Sequence, residues 1–176
     1  MQAQPPSSEI PPMDKAQRAW YKQQRPCVLW LSSPDGASLL MLACLLERVL
    51  ARQGAHTYLL DGRQVCPAEK TECCLTPACQ LGEVSRLMVD AGLIVIVISL
   101  PVCCGERQQV RARLAPDEFI EVFLDVEATA DAGAVPGPAE LYICTLQQTP
   151  RQITGEILRY LLRRRYLPSL IRHRDP

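Results

Sequence analysis

The side chains with most chemistry to offer in this chain are cysteines. There are nine: Cys27, Cys44, Cys66, Cys73, Cys74, Cys79, Cys103, Cys104 and Cys144. Thiolates suit zinc and iron–sulfur centres. Six of them, Cys66, Cys73, Cys74, Cys79, Cys103 and Cys104, fall in segments expected to gather at one sheet edge. No pair shows C-x2-C spacing, and the vicinal pairs Cys73–Cys74 and Cys103–Cys104 are awkward around one tetrahedral ion. Drift is the plainer reading of these thiols, and no metal is expected. Cys27, Cys44 and Cys144 lie in predicted strands or a helix and read as core residues. His56 and His173 sit in a turn and a tail with no partner that spells catalysis. No Ser-His-Asp or Cys-His pattern emerges. Arg107, Arg111 and Arg113 read as an exposed helix face, and the arginines of residues 163–174 as a solvated helix end and basic tail.

The elements that must position any such site follow from apolar patterning. Residues 27–31 (CVLWL) and 93–98 (LIVIVI) are continuous apolar runs, as strands buried on both faces require. Further strands are expected at 57–60, 119–124 and 141–144. Helices are expected at 13–24, 37–53, 77–91, 105–114 and 149–165. The first carries a possible apolar stripe of Met13, Ala16 and Trp20. In the last, Ile153, Ile157, Leu158, Leu161 and Leu162 face inward. Gly54 is a plausible stop for the second. Residues 63–76 read as irregular and 126–138 as a flexible connection. Strands alternating with helices predict a parallel sheet covered on both faces. Ligands then bind outside the carboxyl ends of the strands, which points to the loops 32–38, 61–76, 99–106 and 125–140.

Composition sets outer limits. The chain has 176 residues, 48% of them apolar, with 19 basic and 19 acidic residues. A chain this long buries roughly 70% of its unfolded surface and folds without disulfides or metal. Zero formal charge and 5% aromatics argue against a nucleic-acid surface. No signal peptide is seen, and no apolar run reaches the roughly 18 residues of a membrane helix. The expectation is a cytoplasmic protein with reduced thiols. Residues 1–12, with four prolines, form an expected disordered leader. One domain is expected over 13–165, and a basic tail over 166–176.

Several segments carry a resemblance. Residues 25–31 (RPCVLWL), 60–62 (LDG), 83–97 (EVSRLMVDAGLIVIV), 106–108 (ERQ) and 119–125 (FIEVFLD) resemble adenylyl-sulfate kinase, in matching order and spacing. That resemblance implies a three-layer α/β/α P-loop NTPase-like fold with a mainly parallel five-stranded sheet. It also implies MgATP-dependent phosphorylation of adenylyl sulfate at the ribose 3′-hydroxyl.

The family's ligand loops match poorly. Its phosphate loop, Gly-x-x-Gly-x-Gly-Lys-Ser/Thr, falls on Ser33, Pro34, Asp35, Gly36, Ala37, Ser38, Leu39 and Leu40. Such a loop uses glycine amides to cradle phosphates, lysine to reach the β- and γ-phosphates and a hydroxyl to hold magnesium. Only Gly36 survives. Leu39 replaces the lysine, Leu40 the hydroxyl, and Pro34 removes an amide. The family's Asp-Gly-Asp-x-x-Arg reads here Asp61, Gly62, Arg63, Gln64, Val65 and Cys66, so its second aspartate has become Arg63. The substrate arginines fall at or near Cys74, Cys79 and Cys104. Cysteine is one base change from several arginine codons, which fits drift of a released site.

The resemblance therefore implies an inactive relative that acts by binding, with Asp61 a catalytic remnant and no cofactor expected. The implied partners are a second copy, an active adenylyl-sulfate kinase or a sulfurylase subunit, with neither nucleic acid nor membrane. Two alternatives stand beside it. One is a divergent active kinase using ATP and Mg2+ in sulfate assimilation. The other is a metal or redox module built on the six loop cysteines.

Overall fold

A computed structural model describes residues 11–33, 39–65, 76–99, 104–125 and 139–167. The expected leader over 1–10, the turn 34–38, Cys66, Cys73, Cys74, Cys103, the connection 126–138 and His173 lie outside the described residues. Five strands, β1 (Cys27–Ser32), β2 (Thr57–Asp61), β3 (Ile94–Ile98), β4 (Phe119–Asp125) and β5 (Leu141–Cys144), form one sheet ordered β2-β3-β1-β4-β5. Every ladder is parallel. The three central strands are buried at every residue, which is why they read as unbroken apolar runs.

Alternate side chains feed two apolar layers. Leu29, Leu31, Ile94, Ile96, Ile120 and Val122 meet α2 (Leu39–Arg52) and α6 (Pro150–Arg163) on one face. Val28, Trp30, Val95, Val97 and Phe119 meet α4 (Pro77–Asp90) and Val110 of α5 (Cys104–Arg111) on the other. Helix starts follow local rules. Thr76 caps α4 with Pro77 in the first turn, and Thr149 with Gln152 closes a capping box on α6. Past the end of α2, Gly54 takes φ +79°, as the predicted stop requires.

Three expectations are corrected. The segment after β2 is not irregular from its start: Gly62–Val65 forms one helical turn, α3. The stripe of Met13 and Trp20 faces water, with Trp20 73% exposed. On α1 (Lys15–Lys22) the polar side packs inward instead, because Arg18 binds the Asp90 carbonyl at 2.6 Å and its carboxylate, and Lys15 pairs with Glu118. Finally, Tyr166 and Leu167 are buried rather than part of a solvated tail. The Tyr166 hydroxyl donates to the Asp117 carbonyl at 2.6 Å, and Arg25 lies 5.0 Å over its ring. Burial pushes the Tyr166 phenol up to about 12.

Candidate functional site

Because the strands all run one way, their carboxyl ends form a single edge. Four of the buried polar residues stand on it: Ser32, Asp61, Ser99 and Asp125. This is where an open parallel sheet binds ligands.

Asp61 ends β2, and its carboxylate is already taken. Arg63 Nε lies 3.0 Å from Oδ1, Arg63 Nη2 lies 2.7 Å from Oδ2, and the Arg63 amide donates to Oδ1 at 3.0 Å. The guanidinium holds the Asp61 carboxyl below its ordinary range, and burial opposes it. Gly62 is needed because the chain passes against β3: a Cβ there would stand 3.0 Å from the Ile98 carbonyl oxygen. Asp125 ends β4 and accepts a hydrogen bond from the Tyr142 hydroxyl, whose ring stacks on Phe123 at 5.5 Å. That bond to a carboxylate raises the Tyr142 pKa.

Ser33 is half-buried at the exit of β1, and α2 resumes at Leu39. Leu39 is 1% exposed and belongs to the apolar cluster under α2, with Leu31, Leu42 and Ile98. Leu40 is 41% exposed. The other residues expected in this turn, Pro34, Asp35, Gly36, Ala37 and Ser38, lie outside the described residues.

Of the six loop cysteines, one has a described side chain. Cys79 is buried near the start of α4, its Sγ 3.5 Å from Gln109 Oε1 of α5. It is an interhelical packing residue, and Arg113 donates to its carbonyl at 3.2 Å. The backbone of Cys104 opens α5. Among the described residues no group of three metal-ligating side chains gathers. Cys27 is buried, and burial pushes its thiol well up; Cys44 and Cys144 are half-buried.

Sequence reasoning missed a charged cluster beneath α5. Arg107 and Arg111 are not a solvated face. Arg107 Nε stands 2.9 Å from Glu121 of β4, and their side chains are 12% and 5% exposed. Arg111 joins Glu121 to Glu140 and lies 4.6 Å over the Phe119 ring. Glu140 accepts the Glu121 amide at 2.7 Å, just before β5 begins. Burial raises the Glu121 pKa, against the pull of both arginines. Burial works the same way on Glu140, but bonds from Arg111 and the Glu121 amide outweigh it and hold its carboxyl low. The available signal was the acid inside FIEVFL, a run otherwise apolar enough to be buried on both faces. Arg113 lies 3.5 Å from Glu83 and is partly exposed.

Known proteins resemble this chain in sequence and in fold. The chain is 40% identical over 149 residues to an adenylyl-sulfate kinase of Vibrio cholerae, covering 81% of this chain and 68% of that enzyme. It is 41% identical over 119 residues to the Aeromonas salmonicida adenylyl-sulfate kinase, covering 64% of this chain and 61% of that one. A bifunctional enzyme CysN/CysC of Xylella fastidiosa is 33% identical over 180 residues, covering 85% of this chain and 29% of its own length. Among solved structures, a hexameric APS kinase from Thiobacillus denitrificans superposes with a TM-score of 0.67 at 23% identity, covering 83% of this chain and 30% of that one. The Mycobacterium tuberculosis APS kinase CysC gives 0.63 at 22% identity, covering 79% and 99%. These two show the fold. Among the described residues no helix is long and apolar enough to cross a membrane. The family profile for adenylylsulphate kinase matches residues 25–160, and the chain belongs to that family.

Proposed function

We propose that this family member serves sulfate activation by binding rather than by phosphoryl transfer. The observation that carries the reading is Leu39. It stands where the family's phosphate loop places lysine, and its side chain is 1% exposed in the apolar core. A leucine there neutralises no β- or γ-phosphate, and Leu40 brings no hydroxyl to magnesium. Asp61, the remaining carboxylate of the second motif, is bound by Arg63 in the place of that motif's other aspartate. The residues present therefore do not fit MgATP as the family holds it. The scaffold is kept, which fits a role in contact with another protein. An active adenylyl-sulfate kinase or a sulfurylase subunit is the partner proposed, since one relative is a bifunctional CysN/CysC enzyme and one structural neighbour is a hexamer.

A second reading is an active, divergent adenylyl-sulfate kinase. The 40% identity to the Vibrio cholerae enzyme favours it over the binding reading. Incubating the full chain with MgATP and adenylyl sulfate separates the two. The proposal expects no 3′-phosphorylated product above the enzyme-free blank, and catalytic turnover would replace it with the second reading. A pull-down from a sulfate-assimilating cell that recovers no sulfate-activation protein would remove the partner.

A further inference from the structure

On the α2–α6 face of the sheet, a groove of about 460 Å3 opens between the two helices. Arg48 and Arg52 of α2 and Arg151 of α6 stand around it, and Leu45, Val49, Thr154 and Gly155 complete its walls. All three arginines are exposed, and none forms an ion pair among the described residues.

Local physics disfavours several of these choices. Arg48 and Arg52 are spaced i,i+4 on one helix, where like charges repel. Arg151 lies in the first turn of α6, at the positive end of the helix dipole, in a turn with no acidic residue. Gly155 sits inside α6, where glycine weakens a helix. Among the described residues no neighbour demands it, because a Cβ there would meet none of their atoms within 4 Å. What the glycine does is keep the groove open. Arg52 alone is well placed, in the last turn of α2. A bound anion relieves both the guanidinium repulsion and the unfavourable Arg151, and departures of this kind concentrate at functional sites.

We infer that this groove binds a small organic molecule carrying phosphate or sulfate groups. Guanidinium forks match the oxygens of either group in pairs. The walls of Leu45 and Val49 give the organic part an apolar surface, and the volume lies within the range of small-ligand sites. The site is separate from the carboxyl edge of the strands and does not depend on whether the chain is a kinase.

The test titrates inorganic pyrophosphate into the full chain and follows the methyl resonances of Leu45 and Val49. Saturable shifts are expected at both, weakening as salt rises. Arg48→Ser with Arg151→Ser should weaken binding at least about tenfold, as expected when charge-assisted bonds are lost. Gly155→Leu, which fills open space and leaves the arginines in place, should abolish binding while raising the melting temperature. The inference is overturned if the methyls do not shift, if the variants bind as well as the parent, or if shifts are confined to residues 33–40 and 61. Tighter binding of an oligoglutamate peptide than of pyrophosphate also overturns it, in favour of a protein partner.

Discussion

Replacing Leu39 by lysine restores the side chain that a phosphate loop needs and tests whether the position still faces phosphate. Leu39 is 1% exposed, so the change gives up the burial of a full leucine side chain, about 1.5–3 kcal/mol. An ammonium at the first residue of α2 also opposes the helix dipole, by about 0.3–1 kcal/mol. The expected cost is about 2–4 kcal/mol. In urea, where slopes run about 1–3 kcal/mol per molar, the midpoint falls by roughly 1 M or more. Met41→Lys, at a site 62% exposed, is the control and should change stability by less than about 0.5 kcal/mol. Circular dichroism in urea at neutral pH reads both. If Leu39→Lys matches the parent with an unchanged slope, position 39 opens onto a solvent-filled cleft and the reasoning fails.

Other outcomes follow from the same contacts. Arg107→Leu leaves Glu121 buried without its nearest cation and should cost about 3–5 kcal/mol at neutral pH. Glu121 then has a folded pKa further above its unfolded one, so the deficit should shrink as pH falls through that raised value; urea unfolding at pH 7 and pH 5 compares them. Asp61 behaves oppositely. Its lowered pKa contributes stability above the unfolded value, lost as pH falls through the folded one. Arg63→Ala should move the Asp61 carboxyl back toward the ordinary range in a carbon-detected NMR titration; an unmoved value would remove the arginine as cause. Gly82→Ala puts a Cβ 2.9 Å from Val110 Cγ1 and should destabilise by about 1–3 kcal/mol less a helix-propensity gain of about 1 kcal/mol. Val110→Ala in the same chain should relieve the clash, so the double variant is more stable than the sum of the two single changes.

The sheet was legible because its central strands are buried on both faces: IVIVI and CVLWL have no other comfortable conformation. The helices at 77–91 and 149–165 were expected within a residue of where they start, and in the structure each start is a threonine cap followed by proline. What failed depended on distant partners. The spacing of Met13, Ala16 and Trp20 is a fair apolar stripe, but α1 is held by its opposite, charged face through Asp90 and Glu118. Arg107 and Arg111 looked solvated because nothing in their own helix announces Glu121, which reaches them across the sheet-to-helix layer. Tyr166 looked like tail because its phenol's acceptor, the Asp117 carbonyl, lies 49 positions earlier. At the candidate site, Asp61 and Gly62 were read as what remains of the family's second motif. The pairing of Asp61 with Arg63 needed coordinates, since two residues apart they meet only because α3 starts immediately after β2. Cys79 was read with the cysteines gathering at one sheet edge; the expected helix from residue 77 carries it and turns it into the α4–α5 contact.

Calorimetric titration of MgATP into the full chain tests the central claim most directly. With an apolar side chain buried at position 39 and Asp61 engaged by Arg63, the account predicts no saturable heat from the carboxyl edge of the sheet: any heat that nucleotide gives is lost with Arg48→Ser and Arg151→Ser and unchanged by a bulky substitution at Gly36. Micromolar binding, abolished by a bulky substitution at Gly36, would contradict it and return the chain to the nucleotide-using members of its family.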